Sequence, residues 1–505
     1  MLSELTMETE VRGTKLVLGY IGLFLMMIGL IVLFPLIILP FYPAETNEAW
    51  YFGIPGLSAI GVGFLLFLFI KGKKKGRLQG VEDIALIIAV WLLAILVAAV
   101  PFMMTGKYSF SQAVFETTSG YTTTGLSVVD VANTSHLLLF HRSLTQLVGG
   151  VGLVLILTSA ISDKSGLNLY LLEGHNDRLL PNLIKSARLI FAIYLLFVVL
   201  GSIALVLAGL SVFDAVNNAI GAVATGGFSP NPLSIAGYDS VAVEIIIEVL
   251  MFLGSTSFVI HYFFLRGQFK KACFHYEFAV SLSVFAILFP IIAVYMTQYY
   301  GGNVGLGLRH GFFEFVSAIS GTGFQSVDSI VKLPSPVFFA LILLMICGGQ
   351  AGSTTGAIKQ SRIGLFFLSI YWDIKAKIMK EETVTSHFVT RFGEKTLVSN
   401  EELHSAINFV ALYVIVLFAG TIALCCCGYS LQDSLFEFAS SLGTVGLGAG
   451  IASYSASPAV LWIEIIGMFL GRLEIVIIIM FIAKGIIGVR KNRNIYHCEN
   501  VGKAQ

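Results

Sequence analysis

The sequence predicts an all-α membrane protein with ten transmembrane helices and four re-entrant pore helices, arranged as four parallel helix–pore helix–helix units around one pore. Of its 505 residues, 56% are hydrophobic and only 12% are charged, and the mean hydropathy is +0.86. This composition is typical of a chain that crosses the membrane several times. A glycine motif that recurs four times and a one-sided placement of basic residues lead to the rest of the prediction.

The glycine motif is clearest at residues 444–448, Thr-Val-Gly-Leu-Gly, between apolar runs. With its first glycine at position zero, Phe-Glu stands at −10 and −9, and Leu or Phe at +1. Three copies fit this frame, centred on Gly125, Gly323 and Gly446, and a fourth, centred on Gly227, carries Asn217-Asn218 instead of Phe-Glu. Such loops can turn main-chain carbonyls inward to replace the hydration shell of K⁺. The repeat therefore predicts an ion filter built from four loops.

The elements follow from the apolar runs. Two spans come first, at about 15–42 and 52–71, each long enough for a membrane core that needs about 20 apolar residues. The leading helices of the four units are predicted at 81–103, 185–210, 274–298 and 404–428, and the trailing helices at 136–160, 239–266, 335–372 and 458–484. A short helix of about 10 residues precedes each glycine and, at 1.5 Å per residue, reaches only halfway across the bilayer, so it re-enters. The corresponding segments are 1–78 for the first helix pair, 79–180, 181–270, 271–400 and 401–490 for the units, and 491–505 for a tail.

Basic residues predict the sidedness. They gather at 71–77, 164–188, 266–271, 359–395 and 490–493. Among the other Lys and Arg residues, Lys107, Arg309 and Lys332 fall in the glycine-loop segments, and Arg142 and Arg472 within helices. By the positive-inside rule both termini are cytoplasmic and all four loops face outward. Parallel units of this kind are incompatible with an inverted-repeat transporter.

The filter residues are predicted by aligning the four loops on their glycines. Their carbonyl oxygens would form stacked rings of four around a transported K⁺, and each short helix would direct its partially negative C-terminal end at the pore centre. The alternative is that these glycines only serve helix contacts. The aligned residues are Thr123, Thr124 and Gly125; Thr225, Gly226 and Gly227; Gly321, Thr322 and Gly323; and Thr444, Val445 and Gly446.

A gate is predicted below the filter. The third trailing helix is interrupted by a glycine-rich stretch, and irregular backbone at membrane depth is tolerated only when it is buried or lines a water-filled cavity. A mobile gating loop is one interpretation, and a static kink is the other. The gate residues in this stretch are Gly348, Gly349, Gln350, Gly352, Ser353, Thr354, Thr355 and Gly356.

Arg472 lies near the middle of the last helix, at a depth similar to that of the glycine-rich stretch. A charge at the bilayer centre costs about 2.5–3.5 kcal/mol on insertion scales, which favours a functional or paired role. We expect it to be an electrostatic barrier to cations, held by the gating loop. The alternative is a structural ion pair with a glutamate on another helix.

The remaining charged residues allow either a functional or a purely structural interpretation. Glu116, Glu314 and Glu437 begin the pore helices, where they either attract cations or brace the filter. Arg142 is expected to extend its charged end toward the membrane surface.

No glycine-rich nucleotide fingerprint occurs in a strand–helix context, so we expect this chain itself to bind no nucleotide, to bind no nucleic acid and to be no enzyme. The segment 359–404 suits either a docking surface for a soluble partner or packing on the membrane.

Several stretches resemble the Trk/Ktr/HKT superfamily of potassium transporters, and the resemblance covers essentially the whole chain. It implies a K⁺ filter, because glycine at position zero of all four loops goes with potassium preference in that superfamily. It also implies a bacterial inner-membrane protein that is a homodimer with a cytosolic partner resembling TrkA, a ring of nucleotide-binding RCK domains. Gln350 and Ala357 depart from the superfamily pattern. The matching stretches are 122–127, 142–150, 224–229 and 348–356.

Three alternatives to a potassium-selective pore stay open. The first is a sodium-permeable relative, and the second is a potassium symporter coupled to protons or sodium. The third, from a different class, is a non-conducting scaffold or receptor that has kept the fold. Intact glycines in all four loops argue against the scaffold.

Overall fold

The computed structural model describes residues 10–74, 76, 78, 81–152, 183–378 and 386–484. Several predicted features lie outside these ranges: the end of the first trailing helix, the unit boundary at residue 180, the basic residues Lys164 and Arg178, and the tail at 491–505.

The chain begins with a helix pair, α1 (Thr14–Leu33) and α2 (Ala49–Phe67). Two 3₁₀ segments, Phe34–Phe41 and Pro43–Glu48, join them. Glu45 in this connection accepts hydrogen bonds from the backbone N–H groups of His136 (2.9 Å) and Leu137 (3.0 Å). A carboxylate there satisfies free donors at a helix N-terminus and suits the helix dipole. The pair is thus fastened to the first unit.

Four units follow, each with a leading helix, a pore helix and a trailing helix. Unit 1 contains α3 (Val81–Met104), α4 (Phe110–Tyr121) and α5 (His136–Val151). Unit 2 contains α6 (Leu183–Leu207), α7 (Val212–Val223), α8 (Val241–Ser255) and α9 (Phe258–Leu265). After the short α10 (Phe269–Cys273), unit 3 contains α11 (Tyr276–Tyr299), α12 (Val304–Ile319), α13 (Ser335–Cys347) and α14 (Gln360–Ile378). Unit 4 contains α15 (Asn400–Cys426), α16 (Leu431–Gly443), α17 (Pro458–Arg472) and α18 (Ile475–Lys484).

Each pore helix begins at a side chain that caps it. Ser109, Ser211 and Ser430 accept a hydrogen bond from the N–H three residues on, and Asn303 does the same in unit 3. Such caps satisfy donors that a helix leaves free. The pore helix of unit 3 has 16 residues, whereas the other three have 12, 12 and 13, so it begins about one turn earlier.

The trailing helices depart from the prediction, because it placed a break in unit 3 alone. In unit 2 the chain bends by 105° between α8 and α9, and in unit 4 by 99° between α17 and α18. In unit 1, α5 ends at Val151, before the residues that the structure does not describe. The trailing helices of units 2 and 4 are therefore not the continuous helices at 239–266 and 458–484 that the sequence predicted.

Within the described ranges, six helices are long and apolar enough to cross a membrane, or eight if each bent pair is one span. One apolar core joins units 2, 3 and 4 with part of unit 1, and a second joins the first helix pair with unit 1 and α17. The chain is a multi-pass, mostly helical membrane protein.

A small β-hairpin forms the one sheet among the described residues. Strands β1 (Phe388–Arg391) and β2 (Glu394–Leu397) pair antiparallel between units 3 and 4, with Phe388 opposite Leu397. Its turn lies against the start of unit 3, because Gly393 N–H donates to the Phe274 carbonyl at 2.7 Å. This segment falls in the region that the sequence left open as a docking surface.

Candidate functional site

The four glycines at position zero form a closed ring. All four adopt left-handed backbone angles, with φ of 95°, 70°, 81° and 98°. A Cβ built on any of them would stand under 3.0 Å from a carbonyl oxygen of the next loop, closer than real Cβ atoms come. Both features require glycine. The pairs run from Gly125 to Gly226, Gly227 to Thr322, Gly323 to Val445 and Gly446 to Thr124, so the loops follow in the order 1, 2, 3, 4 and return to 1.

The backbone of the four loops is nearly the same. At position −2, Thr123, Thr225, Gly321 and Thr444 all have φ between 51° and 66°, which is rare for a β-branched residue and typical of functional sites. At position −1, each N–H donates to the carbonyl at −6 of its own pore helix, at 2.8–3.0 Å. The structure thus brings together all twelve residues that the sequence predicted for the filter.

Two hydroxyl groups in the ring have no hydrogen-bond partner among the residues that the structure describes. The Oγ1 atoms of Thr123 and Thr444 are buried and accept or donate no hydrogen bond among the described residues. A buried polar group without a partner is costly, and groups of this kind need a ligand such as water or an ion. Hydroxyl and carbonyl oxygens are the ligands that hard cations prefer.

In units 1, 3 and 4, a glutamate carboxylate holds the segment that follows the loop. Glu116 accepts from Val128 N–H at 3.0 Å, Glu314 accepts from Ser326 N–H at 2.8 Å, and Glu437 accepts from Ala452 N–H at 2.8 Å and from Ala449 N–H. All three side chains are buried. The sequence left open whether these glutamates attract cations or brace the loops. Their hydrogen bonds to the backbone are those expected of a brace.

Unit 2, which lacks the glutamate, is supported from its neighbour. Gln146 on α5 of unit 1 donates to the Gly226 carbonyl at 2.5 Å and accepts from Phe228 N–H at 3.3 Å. The amide therefore holds loop 2 on both sides of its glycine. The sequence frame did not indicate this residue, because the glutamine belongs to another unit and lies 80 residues away along the chain.

The expectation for Arg142 is wrong. Its side chain is 3% exposed and donates to Glu116 at 2.6 Å and to Ser127 at 2.9 Å. Its guanidinium also lies 4.1 Å from the centre of the Phe228 ring of unit 2. Because a carboxylate pairs with it and an aromatic face covers it, the charge stays inside the protein instead of extending to the surface.

Below the ring, on the side toward which the trailing helices run, lies the stretch between α13 and α14. Thr354 Oγ1 is 2.9 Å from Thr225 Oγ1, and Gly356 packs against Thr444 so closely that a Cβ there would collide with its hydroxyl. Thr355 lies 3.7 Å from where a Cβ of Gly321 would stand. The stretch therefore touches position −2 of three of the four loops. We call residues 348–359 the gating loop, after the role that the sequence predicts for them.

Arg472 bonds to two other units beneath the ring. Its guanidinium donates to the Thr354 carbonyl of unit 3 at 2.6 Å and to the Gly149 carbonyl at the end of α5 in unit 1. Units 1 and 3 are diagonal in the ring, so a side chain of unit 4 that bonds to both lies beneath its centre. Close packing of the preceding Gly471 on the Leu442 carbonyl brings α17 under the ring.

Four further side chains fasten the gating loop. Gln350 accepts from Ser257 N–H at 3.1 Å, and Gln360 donates to the Gly348 carbonyl at 3.2 Å. Lys359 donates to the Thr355 carbonyl at 2.5 Å, and Glu277 on α11 accepts from Ala351 N–H at 3.2 Å. Gln350, at which the sequence departs from the superfamily pattern, fits because it bridges to the break between α8 and α9. The repeated glycine motif did not indicate Gln360, Lys359 or Glu277.

A ring of four pore loops inside a bundle of membrane helices, with a loop and an arginine beneath it, defines a helical membrane protein of the fourfold pore-loop class. The chain belongs to the TrkH family of cation transport proteins, whose family model matches residues 65–486. The predicted membership of the Trk superfamily is confirmed.

Relatives and a solved structure agree with this membership. An uncharacterized cation transporter of Methanocaldococcus jannaschii is 30% identical over 94% of this chain and 96% of its own length. The Trk system potassium uptake protein TrkH of Escherichia coli is 26% identical over 83% of this chain and 88% of its own length. The crystal structure of the potassium transporter TrkH from Vibrio parahaemolyticus has the same fold, with a TM-score of 0.80 over 93% of this chain and 98% of that chain, at 22% identity.

Proposed function

We propose that this protein carries K⁺ into the cell through the ring of four loops, with K⁺ held as the transported substrate by main-chain carbonyl oxygens. The closed order of the loops and their common backbone support a filter with fourfold geometry. Glycine at all four zero positions lets neighbouring loops approach without side chains. The names of the TrkH relatives support potassium as the cation.

We infer that the gating loop and Arg472 together close the pore below this filter. The observation that carries the inference is the position of Arg472, whose bonds to units 1 and 3 place a positive charge beneath the ring centre. A fixed charge in a low-dielectric site repels a cation far more strongly than in water. Opening requires the loop to move away from Thr225 and Thr444 and the guanidinium to leave the axis.

We also propose a cellular setting, which the membership of a family of membrane transport proteins supports. We place the protein in the plasma membrane, the inner membrane of a bacterium, with both termini cytoplasmic. The words "Trk system" in the names of the relatives support further components. We propose a homodimer and a nucleotide-binding RCK partner resembling TrkA, which would act on the gating loop from the cytoplasmic side.

Ion flux into proteoliposomes tests the proposal. Rubidium and potassium should enter faster than sodium, and Gly125→Ser should admit sodium because its side chain enters the contact with Gly226. An unchanged potassium preference in this variant would contradict the filter assignment. Preference for sodium in the unchanged protein would favour the sodium-permeable alternative, and absence of any rubidium uptake, with or without a nucleotide-binding partner, would favour the scaffold.

A further inference from the structure

A cavity of about 400 Å³ lies beside the gating loop, between α8, α11 and α12. Three residues at its edge are exposed, namely Phe252 (55%), Leu282 (68%) and Phe312 (39%). Because α11 is long and apolar enough to cross the membrane, we expect this opening to face the bilayer. Eight of the fourteen residues that line it are apolar, and five of these are the phenylalanines Phe252, Phe278, Phe285, Phe312 and Phe315.

The hydroxyl groups of the wall already donate hydrogen bonds within the protein. Ser281 donates to Gln360 Oε1 at 2.6 Å, Ser320 donates to the Ser317 carbonyl at 3.1 Å, and both Ser255 (3.1 Å) and Thr256 (2.8 Å) donate to the Phe252 carbonyl. The described residues that line the cavity include no charged side chain. The site therefore presents no unpaired hydroxyl group or charge that would select a polar occupant.

Three occupants compete for such a space. Water needs two to four polar partners and leaves apolar cavities dry. An empty space forfeits the dispersion contacts of the atoms that line it. A lipid tail supplies those contacts without a cost of transfer, because its surroundings are apolar both in the bilayer and in the cavity.

We propose that this cavity binds one acyl chain of a membrane phospholipid. The volume lies within the range of about 300–1,000 Å³ that is usual for ligand sites. Gln350 and Gln360 form the inner wall and fasten the two ends of the gating loop, so the end of the chain rests against these two side chains. The lipid site is inferred from the residues that line the cavity alone, and it does not depend on whether the loop is a gate.

Photolabelling tests the site directly. The full-length protein is placed in vesicles of phosphatidylethanolamine and phosphatidylglycerol that carry a trace of phospholipid with a diazirine on one acyl chain. Labels should concentrate on the peptides that contain Phe278 and Phe315. Leu282→Trp, which fills the opening, should lower this labelling by roughly tenfold, since a bulky ring takes the contacts of the chain.

Ile287→Trp is the matched control, because Ile287 is 65% exposed on the same helix and does not line the cavity. Its labelling should equal that of the unchanged protein. Equal labelling of the cavity peptides in both tryptophan variants would overturn the proposal.

Two other outcomes would also overturn it. A diazirine fatty acid that labels the cavity when the phospholipid does not would make a free fatty acid the ligand. An absence of cavity labels together with a disulfide between two copies of Leu282→Cys would show that a second copy covers the opening. Because none of these measurements involves ion flux, a failure of the lipid site is distinguishable from a failure of the transport proposal.

Discussion

The ring of loops and the layer beneath it are built on opposite principles. In the ring, four units share one backbone conformation, from the positive φ at position −2 to the hydrogen bond between −1 and −6. In the layer beneath, the same four units differ: a helix end at Val151, a bend after Ser255, a long loop after Cys347 and Arg472 with a bend. Local geometry defines the ring, and contacts between units define the layer.

This difference separates two tasks. A cation that must lose its water needs similar ligands on every side, which fourfold repetition supplies. Opening and closing needs an element with two arrangements, which one loop held by a few side chains supplies. We therefore propose that the ring sets the selectivity of transport and that the layer sets its rate.

The largest expected effect concerns the support of the ring. Glu116→Gln leaves Arg142 buried without its carboxylate, and breaking a buried pair costs about 3–5 kcal/mol. Glu314→Gln is the matched control, because the structure gives Glu314 hydrogen bonds from Ser326 and no ion pair with an arginine among the described residues. Thermal unfolding in detergent should show a much larger loss for Glu116→Gln, and equal losses would contradict a special role for the pair.

A methyl group in the ring should come next. Gly323→Ala puts a Cβ against the Val445 carbonyl, and overpacking typically costs about 1–3 kcal/mol. We expect the preference for potassium over sodium to fall roughly tenfold, since 1.4 kcal/mol corresponds to a factor of ten. Gly209→Ala controls for backbone strain, because Gly209 has φ of 101° but no neighbour within 4 Å of the added Cβ. If both variants change selectivity alike, close contact between loops is not the cause.

A smaller effect is expected in the layer. Thr354→Val removes the hydrogen bonds that the Thr354 hydroxyl makes to Thr225 and to the Gly254 carbonyl, each worth about 0.5–1.5 kcal/mol. Rubidium uptake should rise a few-fold while the potassium to sodium ratio stays the same. Ser283→Val, a change at an exposed residue of α11 away from the loop, should leave both quantities unchanged. A changed ratio in Thr354→Val would show that the two regions are not separate.

The smallest effect concerns pH at the β-hairpin. Burial, aided by the nearby Arg391, lowers the pKa of His275 from 6.5 to about 4. A lowered pKa means that the folded protein disfavours the charged ring, so this contribution is complete above about pH 6.5 and is lost as the pH falls toward 4. Protection from hydrogen exchange at residues 388–397, taken relative to the intrinsic exchange rate at each pH, should therefore fall over that window, and this loss should vanish in His275→Gln. Protection that is independent of pH would contradict the burial of this ring.

Much of the ring followed from the sequence, and the reason is its repetition. The frame from Phe115-Glu116 to Gly125 recurs at two further glycines, so a single register fixed the four short helices and the residues that the structure brings together. A local structure that recurs in each unit is specified by a local sequence that recurs with it.

The layer was less predictable. The bend at Thr256-Ser257 contains neither glycine nor proline, and it coincides with bonds from Gln350 and Gly352 of another unit. Arg142 was misjudged because the register gives depth along a helix but does not show which neighbour faces it. In both places the determining contact is between residues far apart in the chain.

Uptake by four forms of the protein tests the separation of selectivity and rate most directly. The forms are the unchanged protein, Arg472→Ala, a deletion within 350–355, and the two changes combined. Both changes act on one barrier beneath the ring, so each should raise rubidium uptake and the combination should add little, as for residues in one network. The potassium to sodium ratio should be the same in all four forms. Additive increases, or a ratio that changes together with the rate, would contradict the account.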